Sequence, residues 1–153
     1  MNVHVERATA ADAPSILQLL RDAGLPLDGV VDHLNTALVV RDGGAILGCA
    51  ALEVYADGAL LRSVAVSPAA RGRGVGHRLT EEAIALAVSL GQRDVYLLTL
   101  TAEQYFPRFG FIQITRAQVP ATVQQSIEFR FTCPASAIVM RRALNTGMQE
   151  RRA

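Results

Sequence analysis

Lysine is absent from this 153-residue chain, and all 15 of its basic residues are arginine. The absence excludes a nucleotide-triphosphate loop, which needs Gly-Lys-Ser/Thr, and any Schiff base on a side-chain amine. It reads as genomic base composition rather than as function. Tryptophan is also absent, and aromatic residues make up 5% of the chain. Cysteine is scarce: Cys49 and Cys133 form no metal-type spacing, no metal is expected, and free thiols are read in preference to a disulfide. No apolar run approaches the roughly 20 residues of a membrane span, and the N-terminus carries no signal-peptide core. A cytoplasmic protein without a membrane partner is therefore expected. An excess of one charge is missing too; the formal net charge is +1, which argues against a dedicated nucleic-acid binder.

What is present fits a globular domain. Half the residues are hydrophobic and 19% are charged, in a chain long enough to bury a core. One domain over 1–144 is expected, with 145–153 as a polar, frayed tail. The most informative stretch is Arg71-Gly72-Arg73-Gly74-Val75-Gly76-His77-Arg78-Leu79. It follows a strand-like run, Leu60 to Val66, and opens a helix-like run from Val75 to Leu90. A strand, a glycine-rich turn and a helix start make a site for an anionic ligand: glycines admit close approach, and the first helical N–H groups point outward. A dinucleotide fingerprint fails, because His77 stands where its third glycine belongs. The competing reading is a Gly/Arg-rich surface loop that only caps a helix.

Periodicity and turn chemistry give a coarse order of elements. Val3 to Arg7 alternates as a strand, and Thr9 to Asp12 with Pro14 starts a helix that ends at Gly24. Asp28 to Leu34 reads as a short second helix. Ala37–Arg41, Ala45–Tyr55 and Leu60–Val66 read as an antiparallel meander, turning at Asp42-Gly43-Gly44 and Ala56-Asp57-Gly58. A helix from Val75 stops at Gly91, with Leu79, Ala83, Leu86 and Leu90 on one face. Val95 to Leu100 is a buried strand, Ala102 to Phe109 a short helix stopped by Gly110. Phe111–Thr115 and Ala137–Arg141 are the last strands. Pro120 to Pro134 is polar without clear periodicity, either a flap or a connector.

Arg71, Gly74 and Gly76 satisfy the pattern Arg/Gln-x-x-Gly-x-Gly/Ala. Here the chain resembles the GNAT family of acetyl-CoA-dependent N-acetyltransferases. The entry Arg7-Ala8-Thr9-Ala10-Ala11-Asp12 and the stretch from Ala102 to the closing Gly110-Phe111 are similar to family marks as well. The resemblance implies an α/β (α+β) fold: a central mixed, mostly antiparallel sheet, splayed between its fourth and fifth strands and flanked by helices. It implies that the backbone of Arg71, Gly72, Arg73, Gly74, Val75, Gly76 and His77 holds the pyrophosphate of acetyl-CoA. Thr101 and Phe106 would also lie along the cofactor.

The implied reaction is direct attack of a neutral amine on the thioester, in a ternary complex. The protein must align the partners, accept a proton, stabilise an oxyanion and release a thiolate. Backbone N–H groups of Val64, Ala65 and Val66 would hold the thioester oxygen. Many family members place a tyrosine four residues before the glycine of the closing Gly-Phe. That position is Phe106 here, and the tyrosine is Tyr105, which on a helix would point about 100° away. Tyr105 is the candidate acid, or else half-buried packing. Glu53, among apolar neighbours, is the candidate base, or else it faces solvent or pairs with Arg62 on the next strand. His33, His77 and His4 are weaker candidates.

The stretch Tyr96-Leu97-Leu98-Thr99-Leu100-Thr101 has no carboxylate, unlike the corresponding strand end of many protein N-terminal acetyltransferases. It resembles the Leu-Leu-Thr-x-Thr pattern of N-acetylglutamate-synthase-like enzymes. With Leu52-Glu53-Val54-Tyr55, Leu60-Leu61-Arg62-Ser63, Ser126-Ile127-Glu128-Phe129 and Cys133-Pro134-Ala135, the chain looks closest to the arsenic-resistance subgroup. That likeness implies a small amino acid or amino-acid mimic as acceptor. Arg62 or Arg130 could bind its α-carboxylate, with Ser63, Thr99 and Ser126 adding hydrogen bonds. Peptide acetylation and a non-catalytic acetyl-CoA-binding module remain alternatives. Family members are often dimers, and a sheet edge near the C-terminus could pair.

Overall fold

Turn and cap residues fix most element ends. The computed structural model describes residues 4–126, 128–132 and 136–144. They form two compact units: residues 4–53 with Leu61–Ala83, and Val54–Leu60 with the described residues from Ile84 onward. The expected frayed tail and Cys133 lie outside the described residues.

In the first unit the strands are β1 (Val5–Arg7), β2 (Ala37–Asp42), β3 (Ala45–Tyr55) and β4 (Gly58–Val66), the last two also contributing to the second unit. β1 pairs antiparallel with β2, and β2 with β3. Gly43 and Gly44 make the hairpin turn, with Gly43 at φ 61, a region that costs other residues strain. Helix α1 (Ala13–Ala23) follows a single 3-10 turn at Ala10–Asp12 and ends on Gly24. Its apolar stripe, Ile16, Leu19 and Leu20, packs with Val30, Val39, Cys49 and Ala65. The second helix expected over Asp28–Leu34 is instead a 3-10 segment, Val31–Thr36, broken at His33 (φ −124). Helix α2 (Val75–Ser89) starts where expected. Its first turns dock on β3 at Gly48, where an added Cβ would lie 2.9 Å from Val75 Cγ1 and 3.0 Å from Leu79 Cδ1. Absence of a side chain at Gly48 therefore sets how closely the head of α2 approaches the sheet.

A charged staple ties this unit's N-terminal elements together. Arg41 donates to Asp12 Oδ1 at 2.8 Å and Oδ2 at 3.0 Å, and to Glu6 Oε1 at 2.8 Å. Asp12 also accepts the Thr9 N–H at 2.9 Å. The Arg41 hydrogen bonds, then that of Thr9, pull the Asp12 carboxyl down to about 2. A depressed carboxyl stabilises the fold above its ordinary value, 3.8, and that contribution disappears as pH falls through about 2. Asp12→Asn is thus expected to lower the midpoint of thermal unfolding at pH 7, and the gap from the wild type should close between pH 4 and 2. A gap that persists unchanged at pH 2 would refute the assignment.

In the second unit the strands are the end of β3, the start of β4, β5 (Asp94–Thr99), β6 (Ile112–Ile114) and β7 (Ile138–Ala143). β4 pairs parallel with β5 through Ala59–Val95 and Leu60–Tyr96, while β5 and β6 both pair antiparallel with β7. The sheet is therefore mixed, as expected. One expectation needs correction. The helix expected over Ala102–Phe109 is only a 3-10 turn at Phe106–Phe109. Pro107 removes an N–H that a longer helix would need, and Gly110 (φ 89) ends the turn. The segment from Pro120 forms a one-turn helix, α3 (Ala121–Gln124), and a π turn at Glu128–Thr132. Val123 and Phe129 from it join Leu60, Tyr96, Val119 and Val139 in a buried cluster.

Candidate active site

The loop between β4 and α2 is built to meet an anion. β4 hands over at Ser67, whose N–H donates to Leu47 O at 2.8 Å. A 3-10 turn, Pro68–Ala70, leads to Arg71, which is extended (φ −66, ψ 148). Gly72 and Gly74 have φ of 81 and 76 and are exposed. An added Cβ at either would meet nothing within 4 Å, so the space beside the loop is open. Arg78 N–H bonds to Gly74 O at 3.0 Å, so the N–H groups of Val75, Gly76 and His77 head the helix ahead of its first turn of bonds. Val75, 1% exposed, anchors that turn in the core, while Arg71, Arg73 and Arg78 are exposed. The buried Ser67 Oγ has no hydrogen-bond partner among the described residues. Orphan donors, the positive helix end, arginines and open space suit a pyrophosphate. The His77 side chain lies 3.4 Å from Glu81, so its contribution to such a ligand is its backbone.

β4 itself is kinked just before the loop. Ser63 has φ 62, the only positive φ among the described non-glycine residues. Beyond it, Ala65 hydrogen-bonds through its backbone to Cys49, and Ser67 N–H to Leu47, both on β3. Backbone N–H groups alternate along a strand. Val64 and Val66 therefore direct theirs to the edge away from β3. Of the three residues expected to hold the thioester, Val64 and Val66 thus turn their N–H groups away from β3 and Ala65 turns its own toward it.

Glu53 and Arg62 are paired. Arg62 NH1 donates to Glu53 Oε2 at 2.8 Å, and the residues are 3% and 1% exposed. Arg62 also donates through Nε to Ser63 Oγ at 3.0 Å and through NH2 to Pro26 O at 3.3 Å. His33 Nε2 stands 3.6 Å from Glu53 Oε1. Of the alternatives that the sequence offers for Glu53, the pairing with Arg62 is present and exposure to solvent is not, because both side chains are buried. The contact with His33 was not foreseen, because a 3-10 segment broken at His33 brings it there. Burial pushes the Cys49 thiol up to about 12, so it is no nucleophile at neutral pH.

In the second unit, Phe106 is 8% exposed and packs edge-on against Tyr105 and Phe111, with ring centroids at 5.2 and 5.8 Å. Tyr105 is half-buried, with the Arg108 guanidinium 4.6 Å from its ring centre. Thr99 Oγ1 accepts the Ala102 N–H at 2.9 Å, while Thr101 is exposed. Ser126 is buried and its Oγ accepts the Phe129 N–H at 3.3 Å. Arg130 is exposed on the π turn. Glu128, 4% exposed, is a buried carboxylate between Ile127 and Phe129 to which the sequence alone assigns no role. Among the described residues, no group of His, Cys, Asp and Glu could hold a metal ion, and no helix is long and apolar enough to cross a membrane.

A family model for the acetyltransferase (GNAT) domain matches residues 33–113. The amino-acid acetyltransferase of Mycobacterium tuberculosis is 34% identical over 129 residues, covering 78% of this chain and 74% of that protein. The crystal structure of Rv2747 from Mycobacterium tuberculosis, in complex with CoA, matches with a TM-score of 0.78 at 28% identity, over 93% of this chain and 99% of that one. N-acetylglutamate synthase from Neisseria gonorrhoeae, complexed with coenzyme A and N-acetyl-glutamate, gives a TM-score of 0.81 at 25% identity. That match covers 95% of this chain but 36% of the synthase.

Proposed function

This chain belongs to the GNAT family of acetyl-CoA-dependent N-acetyltransferases, and from that premise we propose that its acceptor is the α-amine of a free amino acid or amino-acid analogue. The acceptor in this reading is glutamate-like, or an arsenical or phosphinic mimic of glutamate. The observation that carries it is the likeness, over most of the chain, to a relative named amino-acid acetyltransferase. The absence of a carboxylate in β5, Asp94 at its start excepted, speaks against a peptide N-terminus.

The residues divide the work as follows. Backbone N–H groups from Arg71 to His77 hold the pyrophosphate, with Arg71 and Arg73 adding charge. Acetyl-CoA, when bound, supplies an activated acyl carbon: a C–N bond forms to the amine, the C–S bond breaks, and CoA leaves as thiolate. Val64 and Val66 donate their N–H groups to the thioester oxygen, where negative charge develops. The amine's proton passes to water, and the thiolate takes one up from the same pool. Phe106, a buried ring in this chain, has no proton to give, and thiolate is a good enough leaving group to depart without one. Tyr105 is the nearest hydroxyl in sequence that could assist. On the acceptor side, Thr99 and Ser126 each accept a backbone N–H and keep their own O–H to donate. Arg130, exposed where Arg62 is buried, is the arginine assigned to the acceptor's carboxylate.

The test is selectivity. The specificity constants for glutamate, its arsenical and phosphinic mimics, the other free amino acids and short peptides would be compared at saturating acetyl-CoA. Free amino acids or mimics should exceed peptides by at least about a hundredfold, the discrimination typical of a site built to bind a polar group that the wrong substrate lacks. Equal or better turnover of peptides would move the acceptor class to protein N-termini.

A further inference from the structure

β4 contains a backbone conformation that its sequence does not request. A positive φ is costly for a residue with a Cβ, and serine is not among those that adopt it readily. Ser63 nevertheless sits at φ 62. Such an outlier persists only where its surroundings over-determine it, and here they do. Arg62 Nε donates to Ser63 Oγ at 3.0 Å. The Cys49 thiol donates to Ser63 O at 3.2 Å. The guanidinium that reaches Ser63 is itself fixed, by Glu53 at 2.8 Å and the Pro26 carbonyl at 3.3 Å. The Arg62 side chain is 0% exposed and that of Glu53 2% exposed.

We infer that Glu53 and Arg62 form a positioning pair, which locks Ser63 in the left-handed conformation and thereby aims the Val64 and Val66 N–H groups at the thioester oxygen. The inference rests on the acetyl-transfer reading. It gives both residues a role through the backbone rather than by contact with a reactant. A proton acceptor must exchange with the amine, and Glu53 is enclosed and held by a guanidinium. A carboxylate-binding arginine must meet its ligand, and Arg62 has three of its N–H groups committed inside the protein. The pair instead spends its hydrogen bonds on the turn that precedes the two N–H groups. Rigid support of this kind is what an oxyanion site requires, since its donors must be in place before charge develops.

The experiment exploits glycine. Arg62→Lys keeps a cation facing Glu53 but loses the planar fork that reaches Ser63 Oγ at the same time. Glycine at position 63 adopts a positive φ without a clamp. Arg62→Lys is expected to lower kcat about tenfold to a hundredfold, the range below loss of a whole oxyanion donor, with the KM values for acetyl-CoA and amine within about threefold. Adding Ser63→Gly to Arg62→Lys should restore most of that loss, measured against Ser63→Gly alone. A structural role without aim would not produce rescue in kcat, and Arg62→Met with and without Ser63→Gly repeats the test should the lysine variant not fold. Three results would overturn the inference: an unchanged kcat in Arg62→Lys, a rise in amine KM that glycine fails to rescue, or a kcat loss that glycine fails to rescue. Failure of the acetyl-transfer reading shows separately, as absence of wild-type turnover. In that case the Ser63 Cα and Cβ chemical shifts, which report φ without turnover, still decide whether Arg62 holds the kink.

Discussion

Gly74→Glu is expected to lose acetyl-CoA binding while the protein stays folded. The glycine has φ 76, and an added Cβ there would meet nothing within 4 Å. The fold therefore suffers only the left-handed backbone cost of a non-glycine residue, about 1–2 kcal/mol. The ligand suffers more. A carboxylate would project into the open space beside the helix start, where the loop otherwise presents N–H groups and positive charge. Repulsion between it and a pyrophosphate adds to the steric block. Loss of affinity by at least about a hundredfold, or about 2.7 kcal/mol, is expected, read by isothermal titration with acetyl-CoA. Gly43→Glu is the matched control: its φ is 61, its Cβ position is likewise open, and it lies in the β2–β3 turn. It should incur a similar folding cost and keep full affinity. Equal affinities in the two variants would remove the loop from the cofactor site.

The second large effect is expected from a single backbone atom. Replacing the Val64 amide by an ester, through incorporation of the α-hydroxy analogue of valine, deletes one N–H and leaves the side chain unchanged. If that N–H holds the thioester oxygen, kcat should fall about a hundredfold to a thousandfold, as when one oxyanion donor is removed elsewhere. The KM for acetyl-CoA should change little, because the donor acts mainly as charge develops. The same edit at Ala65 is the control. Its N–H faces Cys49 on β3, so the edit should lower stability by about 1 kcal/mol and leave kcat near the wild-type value. A reversed pattern, with Ala65 critical and Val64 silent, would contradict the strand geometry on which the site is built.

These tests also mark where sequence reading succeeds. Gly24, Gly43 and Gly110 stop or turn the chain where their positions predict, because a positive φ with no Cβ is a strong local signal. β3 runs over Ala45–Tyr55 as its alternation and flanking turns indicate. The loop was legible because glycines, arginines and a helix start coincide within a few residues. Ser63 was not legible: Arg62 beside it is braced by Glu53 and Pro26, and Cys49 bonds its carbonyl, contacts that only the fold brings together, and no property of serine announces its conformation. The direction of the Val64 and Val66 N–H groups follows from that kink and from pairing with β3, so it needed coordinates as well. The helix expected after Ala102 shortened because one proline outweighed a run of otherwise permissive residues. Phe106 shows a limit of motif transfer. The family position is evident in sequence, but only packing shows that its ring is enclosed by Tyr105, Phe109 and Phe111.

The most direct test of the account is the stoichiometry of acyl transfer with a free amino acid. Purified protein, acetyl-CoA and glutamate would be incubated, and free CoA thiol and the mass of the amino-acid product quantified together, with the panel of other amino acids and mimics run alongside. The account predicts thiol release dependent on the amine, with one N-acetylated amino acid formed for each CoA released. Binding of acetyl-CoA with no amine-dependent thiol release across the whole panel would contradict it.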